Sequence, residues 1–283
     1  LVQHITTSPA LIAIADAMRF RTGMTLWDHA DRMHQWLQMT RVFYLTGQQL
    51  LAHTSLTLND AYDINNSSEI QRCEFIRTKV DAVLADDGGH CRPLTRAKKL
   101  KWFKKSHSRV HYEMFEVDIA RPLREASWKN DIPLRPATRA LMKAMKKGFG
   151  KSIEEGFAWI LIVELIAKEI VEEMHKYLVK IKKGWRRFFT KEQLFYCTYH
   201  ILLEKLHSED VREAIRLVAD TPERFELLKK EVLSALILWY HFFWFLGFNR
   251  GAYINRYGYH SFPIGDFGGS WLKPWWISGI TWT

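Results

Sequence analysis

Cysteine is scarce in this chain: three residues, Cys73, Cys91 and Cys197, stand far apart with no CxxC spacing. That scarcity excludes a disulfide framework and a cysteine-based zinc site. Long apolar runs are missing as well. The best two, 157–167 and 235–248, fall short of the ~20 residues a bilayer-spanning helix needs, and the first contains Glu164. From Leu1 onward no charged segment leads into an apolar run, so no secretory signal is expected. No repeat of about 20–50 residues is visible, which argues against a solenoid. RNP, zinc-finger and helix-turn-helix patterns are absent too, and no nucleic-acid partner is expected. These absences predict a soluble, cytoplasmic protein without a transmembrane segment.

Apolar material and positive charge are what the chain does have. With 283 residues, 47% of them hydrophobic, it can bury a sizeable core, and a single helical domain over 1–283 is expected. The net charge of +10 comes largely from 92–109, 135–151 and 176–191. Charge of that sign attracts anions at long range, which makes an anionic small-molecule substrate plausible, although many such charges only solvate helix faces.

Helical spacing runs through 8–19, 25–58, 67–84, 95–121, 136–147, 152–181, 191–218 and 222–248. The breaks fall at turn formers: DDGG at 86–89, NDIP at 130–133, GFG at 148–150, KG at 183–184 and DTP at 220–222. Ser152 with Glu155 resembles a capping box, and Pro222 takes a first helical position. An all-α fold is expected, with its core bundle at about 67–248. From 247 to 283 the character changes. Gly, Tyr and Trp, including Trp271, Trp275, Trp276 and Trp282, follow no helical period and predict an irregular aromatic cap, or a lid over an apolar pocket.

Within the segment 191–218, YHILLEKLHSED (199–210) places His200, Glu204 and His207 four and three residues apart. On a helix those steps rotate the side chains by about +40° and −20° from the first, so all three share one stripe. Tyr196, Leu203, Val211, Ala214 and Val218 continue it as the core-facing side. Two imidazoles and a carboxylate therefore interrupt a buried face, and unpaired burial would cost roughly 2–7 kcal/mol per polar group. A transition metal satisfies all three; an intrahelical Glu/His hydrogen bond on a half-exposed face is the plainer alternative.

Other ligands would have to come from other helices. On 152–181, Glu164 shares its stripe with Ile153, Phe157, Ile160, Ala167 and Val171 and points inward, whereas Glu169, Glu172, Glu173 and Lys176 form a polar face. On 95–121, His107 and His111 lie one turn apart, His111 nearer the apolar stripe with Met114 and Phe115. His90, His175, His241 and His260 have no comparable companions and read as surface or structural residues.

The order of an inward Glu on a long helix, a linker with Trp185, Phe188 and Phe189, and then His-x3-acid-x2-His resembles the haem-oxygenase-like dimetal oxidases and oxygenases. HYEMFEVDIARPLR, beginning at His111, is similar to their earlier ligand helix. The likeness covers roughly 95–250. It implies a bundle of about seven helices and a dinuclear site held by His111, Glu164, His200, Glu204 and His207. Two iron ions, with manganese or a mixed pair as variants, would then use O₂ to oxidise a small organic molecule; a homodimer is also compatible.

Two features depart from that family. No acid occurs between Asp87 and Glu113, where Lys101, Lys104 and Lys105 stand instead of the usual carboxylate. Glu69, Glu74, Asp87, Asp118 or His107 are the candidates to replace it. The middle acid of the trio, more often Asp, is Glu204 here. Other readings stay open: a ferritin-like di-iron protein using Glu172-x-x-His175 and Glu204-x-x-His207, a binding or assembly module with structural His and Glu residues and no metal, a basic peripheral protein, and a metal-free enzyme of the thiamine-degrading type.

Overall fold

The structure, a computed structural model, describes residues 1–6, 18, 23–90, 109–128 and 131–247. The expected helix over 8–19 and the aromatic cap over 247–283 lie outside the described residues, Met18 and Gly247 excepted. Their order is α1 (Val2–Thr6), α2 (Leu26–Asp63), α3 (Ser67–Asp87), α4 (111–126), α5 (Pro136–Phe149), α6 (Ile153–Leu178), a hairpin of β1 (Lys182–Lys183) and β2 (Arg186–Arg187), α7 (Phe195–Val218) and α8 (Pro222–Gly247). The fold is all-α, a helical bundle, as the periodicity predicts.

Local chemistry sets the helix starts. Thr25 and Asp28 form a reciprocal capping box at α2, and Asn66 accepts the Glu69 N–H at α3. Ser152 Oγ accepts the Glu155 N–H at α6, 3.2 Å away. Proline stands at the first position of α5 and of α8, where its missing N–H removes a donor that would be unpaired anyway. α4 contains a π-helical turn, Glu116–Ala120, between the α-helical pieces His111–Phe115 and Arg121–Ala126. The widening ends just ahead of Pro122, whose missing N–H leaves a gap in the α-helical hydrogen-bond ladder at that point.

Because α2, α5, α7 and α8 all pack on it, α6 is buried on almost every side from Phe157 to Ile162, and it keeps an outer polar face at Lys168, Glu169 and Lys176 further on. An apolar helix that is hydrophobic all round belongs in the middle of a bundle. No described helix is long and apolar enough to cross a membrane. α2, ahead of the range expected for the core, contributes Trp36, Leu37, Phe43 and Leu50 to it.

One expected helix differs. The spacing predicts a helix through 95–121, but Val110 has extended backbone (φ −57°, ψ 132°) and the helix starts at His111. The imidazole of His111 bonds the end of α3 through Asp87, which fixes where the chain turns into the bundle. His107 lies outside the described residues.

Candidate metal centre

Four helices aim polar side chains into one interior. α7 carries His200, Glu204 and His207 on its buried face, α6 carries Glu164, α4 begins with His111, and α3 ends with Asp86 and Asp87. His111, Glu164, His200, Glu204 and His207 are each at most 5% exposed. Ser208 Oγ donates to the Glu164 carbonyl at 2.9 Å, so the turns of α6 and α7 that carry Glu164 and His207 are tied together.

These side chains fall into two triads whose donor atoms lie within 4.8 Å of one another: Asp87, His111 and His200, and Glu164, Glu204 and His207. In the first, His111 Nδ1 is 2.8 Å from Asp87 Oδ1, and the His111 and His200 rings meet edge to face with centroids 4.4 Å apart. His200 Nδ1 donates to the Tyr196 carbonyl at 2.9 Å, one turn earlier. That bond fixes the tautomer and leaves Nε2 with its lone pair. In the second, His207 Nδ1 is 3.0 Å from Glu164 Oε2 and 3.7 Å from Glu204 Oε2, while Nε2 faces Asp86 Oδ2 at 3.2 Å. A carboxylate behind an imidazole orients a ligand histidine and raises its basicity.

The donor set fits a cation on a specific observation. Glu164 Oε2 and Glu204 Oε2 are buried and make no hydrogen bond of acceptable geometry, although each faces His207 Nδ1. Donor atoms bound ~2.1 Å from one ion sit ~3–4 Å from each other; His207 Nδ1 lies 3.0 and 3.7 Å from the two carboxylate oxygens. Mixed imidazole and carboxylate ligation suits iron, manganese or zinc.

Electrostatics agree. Burial raises Glu164 to about 8, with Glu204 and Asp87 adding to the effect and His207 opposing it. His200 is lowered to about 3, first by burial and then by His111. Burial works against a charged His207, yet Glu164, Asp86 and Glu204 hold it well above its ordinary range. For Asp87, burial is outweighed by His111, and its carboxyl stays below the usual range.

Both triads open on one cavity of ≈ 60 Å³, room for a few water molecules. Trp36, Met39 and Phe43 of α2, Val163, Ala167 and Ile170 of α6, and Tyr196 of α7 supply apolar walls; Tyr44 and Tyr112 stand near Asp87.

All five residues singled out in the sequence are brought together. Among the acids weighed for the missing position, Asp87 is the one that arrives. Glu69 pairs with Arg72 and Arg224, Glu74 accepts from Tyr62, and Asp118 pairs with Arg109. Glu172 lies 3.8 Å from Lys168 on the outer face, and neither it nor His175 belongs to a triad. Sequence reasoning missed Asp86 and the α2 wall. The stripe Trp36, Met39, Thr40 and Phe43 was the signal for that wall.

No protein-family model matches the chain, and no curated protein does. Among solved structures it is similar to the crystal structure of a CADD-like protein of unknown function from Nostoc punctiforme, with a TM-score of 0.52 and 13% identity over 86% of this chain and 88% of that one. The likeness is one of fold: two chains with little common sequence share a helical architecture over most of their lengths.

Proposed function

We propose that this protein is a non-haem dinuclear metalloprotein, with iron as the metal, that uses O₂ to oxidise a small organic substrate. The observation that carries the reading is the pair of interior triads, with two buried carboxylate oxygens that face His207 Nδ1 but make no hydrogen bond of acceptable geometry among the described residues. Asp87, His111 and His200 would hold one ion, and Glu164, Glu204 and His207 the other. Two ferrous ions held there would supply the electrons for two-electron reduction of O₂.

The chain's own part is positioning and exclusion of water. Asp86 fixes the His207 ring from behind, and the Tyr196 carbonyl fixes that of His200. The aromatic and aliphatic walls keep the cavity narrow, which favours a small substrate with an apolar portion. No Lys or Arg is among the described residues that line it, so on this reading an anionic substrate group would be met by the bound cations.

Anaerobic ferrous reconstitution tests the reading. Close to two irons per chain are expected, with loss of loading in His200→Ala and none in His260→Ala. One iron per chain would support a mononuclear site. No iron, and no effect of chelators on the purified protein, would favour a binding module in which these residues are structural.

A further inference from the structure

Between α6 and α7 the chain reads KKGWRR at 182–187 and forms a two-stranded antiparallel finger, with Lys182 opposite Arg187 and Lys183 opposite Arg186. Gly184 opens its two-residue turn with φ +66°. Tight hairpin turns that match strand twist need such backbone, which glycine adopts without strain. Trp185 is thereby carried to the apex, where it is 81% exposed, with the Arg186 guanidinium 4.4 Å from its ring centre. Lys182, Lys183, Arg186 and Arg187 are all exposed, and no acid pairs with any of them among the described residues. The base is anchored. Phe189 is buried and meets Phe188 edge to face at 4.8 Å, and the Phe188 N–H donates to the Ile181 carbonyl at 2.9 Å.

We propose that this finger docks the protein on an anionic phospholipid surface. The headgroup zone of a bilayer takes both the apolar body and the N–H of an indole. Cations clustered around that indole match the negative potential of anionic lipid. Shape separates this partner from nucleic acid. Single strands are held in basic grooves with open aromatic faces for the bases, whereas the finger is convex and Arg186 covers one face of its ring. Docking of this kind is peripheral and does not depend on the metal centre.

The full chain is sedimented with phosphatidylcholine vesicles, with and without phosphatidylglycerol, at low and high salt. Binding is expected only to the anionic vesicles and only at low salt. Trp185→Ala should weaken it by about tenfold. Replacing Lys182, Lys183, Arg186 and Arg187 by Ser should weaken it by more than about a hundredfold. Circular dichroism and melting should be unchanged in both variants, because the altered side chains are exposed. The proposal is overturned if the wild type ignores anionic vesicles, or if the variants bind them as well as the wild type does. It is equally overturned if Trp185 matters for binding a single-stranded RNA oligonucleotide but not for binding vesicles.

Discussion

Glu204→Leu separates a ligand from a structural residue by the sign of its effect. Glu204 is 3% exposed, and its Oε2 has no hydrogen-bond partner. A buried acceptor left in that state costs roughly 1–3 kcal/mol. Leucine has a similar volume and keeps the α7 face packed against α6. Its effect on His207 is small, since Glu164 at 3.0 Å and Asp86 at 3.2 Å remain. The metal-free variant should therefore melt about 2–12 °C higher than the metal-free wild type, taking about 2–4 °C per kcal/mol for a chain of this size. Ferrous loading then reverses the advantage in part. Each occupied site adds about 2.7 kcal/mol at a hundredfold excess over Kd, so the variant, with one triad broken, should gain about half of what the wild type gains. Differential scanning calorimetry under nitrogen, with and without Fe²⁺, reads both quantities. A metal-free variant less stable than the wild type, or an equal gain on loading, would refute the assignment and return Glu204 to a structural role.

Asp86→Ala should weaken iron binding at the Glu164, Glu204 and His207 triad by about 10–100-fold, measured by competition with a chromophoric chelator, because the His207 ring loses its backing. The other triad should keep its ion. Gly148→Ala tests the packing of α5 on α6: an added Cβ would lie 1.9 Å from Trp159 Nε1, which donates to Glu231 at 3.0 Å. Moving the indole breaks that bond and overpacks the core, so a loss of about 2–4 kcal/mol in urea unfolding is expected. His29 tests linkage. Burial, then Arg32, lowers it from 6.5 to about 4, so between those values the unfolded chain binds more protons than the native one. Stability should fall by up to ~3 kcal/mol as pH drops through that window and stay level in this respect above it. Unfolding midpoints of His29→Gln should show a shallower acid slope than the wild type.

Much of the helical layout is legible because it rests on local signals. Ser152 and Pro222 mark starts, and the apolar run of α6 marks the centre of the bundle. Glu164, His200, Glu204 and His207 could be selected because each interrupts an apolar stripe on its own helix. The α2 wall of the cavity was harder to see. Trp36, Met39 and Phe43 look like any core stripe, and only the way α2 packs on α4 and α6 turns them toward the triads. The two-residue strands at 182–187 were also hidden, since a run of Lys and Arg has no alternation to betray them.

Asp86 and Asp87 show why spacing along 95–121 could not single out the carboxylate beside His111, although Asp87 stood among the candidates. A helix running unbroken to His111 would need its acid a few turns earlier on the same rod, and the sequence offers lysines there. The chain instead is extended at Val110, and the acid comes from the end of a different helix, 24 residues back. In sequence, DDGG reads as a turn, because helix ends and turns use the same residue types. Consecutive helical residues point about 100° apart, so Asp87 reaches His111 while Asp86 reaches His207, and one helix end serves both triads. The placement opposes stability: two acids in the last turn of α3 face the negative end of its dipole, and Asp86 is fully buried. Residues held against both the dipole and burial need a compensating charge. Imidazoles supply it in part: His207 Nε2 lies 3.2 Å from Asp86 Oδ2, and His111 Nδ1 2.8 Å from Asp87 Oδ1.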